Sequence, residues 1–271
     1  MNRAGGNNHL RYHVTIIWEH TMKKYLAIIV LSIGMTAHAS AAEVKVLSGG
    51  AVEPGLHAFA EQVKRELGHE LKIQFNTTPQ IVKRLAAGDV YDIVIVTPTV
   101  IAQAAKDGKV AADTRVPVGR VGAGIIVRNG AAAPNVATVD GLKQALLAAD
   151  SVVYNSASSG LYLDTLFEKM GVLAQIKPKT TRYPDGASVM EHVIKGKGNE
   201  IGFGAITEIK LYEGKGLKYA GPLPAEIQNY TSYDAGMMTG GTAATEDLAR
   251  ELLKHMATPA SKAIFVKAGV E

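Results

Sequence analysis

The stretch Tyr91-Asp92-Ile93-Val94-Ile95-Val96-Thr97-Pro98 decides how this chain folds. A strand wetted on one face alternates polar and apolar residues, whereas Ile93–Val96 is apolar without a break, so the reading is a strand covered on both faces, as in a parallel sheet. Thr97-Pro98 then opens a helix, since Thr suits the cap and Pro the first helical position. Working backward, Thr77-Thr78-Pro79 repeats this start, with Thr78 read as the cap, and its helix stops at Gly88. Leu71–Phe75 reads as a strand, Glu53–Leu67 as an amphipathic helix, and Val44–Leu47 as a strand ended by Ser48-Gly49-Gly50. Strand, helix, strand, helix, strand is the grammar of a parallel α/β sheet.

Working forward, the same grammar resumes. Strands are expected at 125–127, 151–154, 180–183, 200–205 and 233–238. Helices are expected at 139–149, 161–170, 187–195, 245–256 and 259–268, with an extended segment at 219–224. Gly119, Gly122 and Gly124 beside a strand suit a crossover between two lobes. The expected organisation is α/β with two lobes, each a mostly parallel sheet flanked by helices: lobe 1 at 43–121 plus 239–271, and lobe 2 at 122–238 including the crossover strands.

The N-terminal residues read differently. Met22-Lys23-Lys24, an apolar run from Tyr25 to Met35, and the small residues Ala37, Ala39 and Ala41 form a basic, apolar and small-residue series, as in a secretory signal peptide. Residues 1–41 are therefore read as a leader with the true start at Met22, cleavage after Ala41 (Ala39 as the alternative) and a periplasmic destination. That leader holds four of the basic residues and one of the acidic ones, so the net charge of +4 falls to +1 without it. No Lys/Arg cluster suggests a face that tracks phosphates, which argues against nucleic acid as a partner. The chain has no cysteine, so neither a disulfide framework nor a lipid-modified cysteine is available.

The chemistry lies in the loops. Ser48-Gly49-Gly50-Ala51, Thr77-Thr78, Thr97 and Ser156-Ala157-Ser158-Ser159-Gly160 each end a strand and open a helix. A helix start carries unpaired N–H groups and about half a positive charge, and in open α/β sheets the carboxyl ends of strands border the ligand crevice. Converging loops of this kind make an anion site without lysine. Arg120, at the crossover, is a candidate for a bidentate bond to a carboxylate, with a surface or interlobe ion pair as the alternative. Enzyme signatures are absent: there is no Gly-x-Ser-x-Gly elbow and no phosphate loop, and His57, His69, His192 and His255 show no metal-ligand spacing. No cofactor and no catalytic residue is assigned, and a monomer is expected.

The chain resembles the type II periplasmic solute-binding proteins of ABC importers, and most of all their molybdate-binding branch. The resemblance rests on Val46–Val52, Phe75–Thr78, Tyr91–Ile95, Ser158–Tyr162, Ile201–Ala205 and the closing segments Met256–Phe265 and Ala268–Val270. It implies a cleft that closes on a small anion and an inner-membrane importer permease as partner. It also implies that Thr78 stands at a hydroxyl-donor position, and Ser159 and Ala187 at backbone-donor positions. Two positions depart from the branch: Ala51 stands in place of a serine and Ala205 in place of a tyrosine. Two missing donors would leave oxyanion oxygens unpaired, at roughly 1–3 kcal/mol each. The expected solute is therefore a small organic carboxylate. The alternatives are molybdate, tungstate or another inorganic oxyanion, a secreted hydrolase on a similar frame, and a sensor subunit that uses the same site.

Overall fold

The computed structural model describes residues 43–271. The expected leader, its start at Met22 and its cleavage near Ala41 lie outside the described residues. No helix among the described residues is long and apolar enough to cross a membrane.

Strands β1 (Glu43–Gly49), β2 (Glu70–Asn76) and β3 (Ile93–Val96) alternate with helices α1 (Glu53–Leu67), α2 (Thr78–Ala87) and α3 (Pro98–Lys106). β1 lies between β2 and β3, parallel to both. The unbroken apolar run of β3 has the expected cause. Ile93 and Ile95 point into one core with Leu56 and Phe59 of α1, while Val94 and Val96 point into a second with Ile81 of α2 and Ile101 of α3. Burying each such side chain stabilises by about 1.5–3 kcal/mol, and a polar residue at any of the four would be desolvated.

β4 (Val116–Arg128) is thirteen residues long, where the sequence suggests a strand only at 125–127. It belongs to both lobes. Val116–Gly122 pairs antiparallel with β9 (Tyr230–Met237), which also pairs antiparallel with β3, whereas Ala123–Arg128 pairs antiparallel with β7 (Glu200–Ala205) and β8 (Leu217–Pro222), so each lobe's sheet is mixed rather than mostly parallel. Gly119, Gly122 and Gly124 all fall within it. Gly119 has φ 148° at a register shift, with Val270 and the backbone of Glu271 too close for a side chain.

The second lobe adds α4 (Val139–Ala148), β5 (Ser151–Asn155), α5 (Ser158–Lys169), the short α6 (Leu173–Ile176), β6 (Thr180–Tyr183), α7 (Gly186–Lys195) and α8 (Ile206–Tyr212). β5 runs parallel to β6 and β7. This sheet is also covered on both faces: Ile125, Val127, Val152 and Phe203 enter one core, and Ile126, Val153, Met190 and Ile209 the other. The C-terminal α9 (Ala243–Met256) and α10 (Pro259–Lys267) return to the first lobe, where Leu252 and Phe265 pack with Phe59. β9, read from sequence as part of lobe 2, also puts Tyr233, Ala235 and Met237 into this first-lobe core.

Candidate functional site

The carboxyl ends of strands from both lobes meet at one cavity of about 600 Å³. Gly49 and Asn76, at the ends of β1 and β2, contribute from the first lobe. Asn155 and Ala205, at the ends of β5 and β7, contribute from the second. Val121, Gly122 and Ala123 of β4 run past where the lobes join.

Four helix starts open on this space. Gly50–Val52 forms a 3-10 turn that leads into α1. At α2 the cap is Thr77, one residue earlier than expected, with Thr78 as the first helical residue. The Thr77 N–H donates to Gln80 Oε1 at 2.8 Å. At α5, Asn155 Oδ1 accepts the Ala157 N–H at 3.0 Å and lies 3.3 Å from the Ser159 hydroxyl. At α7, Asp185 Oδ1 accepts the Ser188 N–H at 2.8 Å, so the cap takes that donor and Gly186 and Ala187 face the cavity. Side chains thus hold the turns in shape while the first residues of these helices line the cleft.

Of the residues selected from sequence, Gly49, Gly50, Ala51, Thr77, Thr78, Ser158, Ser159, Ala187 and Ala205 line the cavity. Ser48, Thr97, Ser156, Gly160 and Arg120 do not. Ser48 is fully buried, with its hydroxyl turned back to the Gly49 carbonyl. Thr97 starts α3 away from the space, Ser156 is exposed, and Gly160 packs against the Asn155 backbone. Arg120 is corrected outright. Its side chain is exposed, stacks over the Tyr230 ring and pairs with Glu271 at 3.2 Å, and its backbone bonds to Glu271 in both directions. Neighbouring residues of a strand face opposite sides, and Val121, not Arg120, faces the cleft.

The structure adds groups that sequence reading missed, and Glu208 matters most. It sits in α8, a helix absent from the sequence reading. A Cβ at Gly50 would lie 2.6 Å from Glu208 Oε1, and one at Gly186 would lie 2.5 Å from Oε2. The carboxyl therefore fills the space between the helix starts of the two lobes, and both positions need glycine to admit it. No other side chain hydrogen-bonds to it among the described residues. Burial pushes its pKa up to about 7, the charges of Glu53 and Asp185 push the same way, and the Ala205 backbone N–H pulls down. Tyr233 lies against Gly49, and burial raises its hydroxyl above the ordinary phenol range, helped by the charge of Glu208. Lys215 is the single cation among the described lining residues. The signal for Glu208 was present: Ile206-Thr207-Glu208 follows the strand Glu200–Ala205, which places an acid one turn into a helix at a strand end.

The match to known proteins spans nearly all of this architecture. The family model for bacterial extracellular solute-binding proteins matches residues 44–271. The chain belongs to that family. Its members and solved neighbours are binding proteins with this two-lobe fold. The periplasmic molybdate-binding protein of Azotobacter vinelandii is similar at TM-score 0.68 and 15% identity, over 84% of this chain and 98% of that one. The sulfate-binding protein of Mycobacterium tuberculosis is similar at TM-score 0.66 and 17% identity, over 84% and 86%. At these identities the likeness is one of fold. A protein from Pseudomonas sp. named aconitate isomerase is 29% identical over 245 residues, 88% of this chain and 91% of that protein.

Proposed function

We propose that this family member is a periplasmic protein that captures a small organic carboxylate and delivers it to an ABC importer. The observation that carries this reading is the convergence of four helix starts from two lobes on one cavity, with little cationic side-chain charge. Backbone N–H groups at helix starts favour anions whatever the pH. The cleft has room for an organic anion, at about 600 Å³. Ala51 and Ala205 line it without donors, and the apolar faces of Phe75, Val121 and Leu211 suit a carbon skeleton. The Pseudomonas relative takes its name from aconitate, a propene tricarboxylate, so unsaturated tricarboxylates stand first among candidate solutes.

Thermal melting against mono-, di- and tricarboxylates, molybdate, tungstate and sulfate tests this. A solute at 100 times its Kd stabilises the folded chain by about 2.7 kcal/mol. The expected result is a specific rise in melting temperature with a di- or tricarboxylate. A rise with molybdate or tungstate alone would replace the carboxylate reading with the oxyanion one.

A further inference from the structure

An anion-binding cleft has no evident use for a carboxyl wedged between its helix starts. Glu208 lies between Gly50 of the first lobe and Gly186 of the second, faces the cavity, and has no side-chain partner. Its carboxyl is half-buried on the cavity wall, with only the Ala205 backbone N–H to hold it. Asp185 shows the contrast: it is tied to the Ser188 N–H as a cap. Glu208 is held in place yet free to exchange a proton, among donors suited to a ligand's carboxylates.

We propose that the cleft also has an isomerase activity, in which Glu208 is the catalytic residue that moves a proton between two carbons of a bound unsaturated di- or tricarboxylate. This rests on the carboxylate reading above and extends it from capture to chemistry.

The substrate class has a CH₂ between a carboxylate and a C=C bond, as in a propene tricarboxylate. The Glu208 carboxylate takes one proton from that CH₂. The C–H electron pair forms a new C=C with the central carbon, and the old π pair moves through the far carbon onto its carboxylate as a dienolate. Glu208 then delivers a proton, which can first exchange with solvent, to the far carbon, and the returning electron pair forms the new C–H bond. The double bond has moved by one position, Glu208 is again a carboxylate, and no oxidant, reductant, water or cofactor is consumed. Helix starts at Thr78, Ser159 and Gly186, with Lys215, line the same cavity and would stabilise the charge that builds up on the substrate's carboxylate oxygens, as electrostatic catalysis requires. A pKa near 7 suits a group that serves alternately as base and acid at neutral pH. Glu53 and Asp185 face it from α1 and α7, Tyr212 shares its helix, Tyr233 approaches from β9, and Lys215 follows the helix.

The test is proton NMR of the purified protein with cis- and trans-aconitate in D₂O, beside melting shifts with the same ligands. Wild type is expected to interconvert the isomers and to exchange the CH₂ proton for deuterium. Glu208→Gln should lose both by about 100-fold or more while its melting shift with ligand persists. Glu208→Asp, which withdraws the carboxyl by one carbon, should fold, bind and lose rate, and it serves if the Gln variant does not fold. Binding by wild type with neither isomerisation nor exchange would overturn the activity and leave the binding reading intact. Full rate in both variants would remove Glu208 from it. No melting shift with any carboxylate would sink the binding reading and this inference together.

Discussion

Arg120 and Glu208 exchange the roles that their surroundings in sequence suggest. Arg120 sits among glycines at the crossover, yet its guanidinium lies outside the cleft against Glu271, with both side chains more than half exposed. Exposed pairs contribute about 0–1 kcal/mol. Arg120→Ala is therefore expected to leave ligand affinity within two-fold of wild type in a calorimetric titration, with a small loss of stability at most; a ten-fold loss of affinity would restore Arg120 to the site. Glu208 carries a pH signature. Its folded-state pKa of about 7 lies above the ordinary carboxyl value of 4.5, so between these pH values the unfolded chain releases a proton that the folded chain keeps. The stability linked to this group is present below pH 4.5 and is lost as pH rises through 7, on the order of 3 kcal/mol in all at about 1.4 kcal/mol per unit. Urea unfolding of wild type should weaken relative to Glu208→Gln from pH 4.5 to 7.5 and then run parallel to it. A constant difference across that range would contradict the assignment.

At the scale of elements, α8 ties the lobes together. Thr207 is fully buried and its hydroxyl donates to the Ala51 carbonyl, which joins the second-lobe helix to the first-lobe turn behind the cavity. Removing that hydroxyl leaves a buried acceptor short of a partner, and Thr207→Ala is expected to cost about 1–3 kcal/mol in denaturant unfolding. The same bond fixes the turn of α8 on which Glu208 stands. The strands and the longer helices were legible from sequence because their apolar periodicity and Thr, Pro and Gly boundary residues are local signals. α8 was not, because its seven residues are too few to establish a periodicity. The thirteen-residue extent of β4 was hidden as well, since the Gly-rich segment Gly119–Gly124 reads as a connection, and only pairing with β9 on one half and with β7 and β8 on the other makes it a single strand.

For the whole molecule, four apolar cores, one on each face of each lobe's sheet, hold a cleft between strand ends. The unbroken apolar strand at Ile93–Val96, the Thr-Pro helix starts and the absence of cysteine are properties of neighbouring residues along the chain, and they were enough to specify an α/β architecture with polar helix starts at the strand ends, though not the antiparallel pairings of β4 and β9. The sequence by itself also determined that Ala51 and Ala205 bring no side-chain donor to those loops. Which starts share one space was decided only by the tertiary structure: Thr78, Ser159 and Ala187 converge, while Thr97, Ser156 and Arg120, equally plausible along the chain, face elsewhere. The placement of Glu208 between Gly50 and Gly186 was decided there too, for these residues are 158 and 22 positions from it in sequence. The physical reason is that side-chain direction, burial and the shift of a proton affinity depend on neighbours brought together by packing, and no local periodicity encodes them.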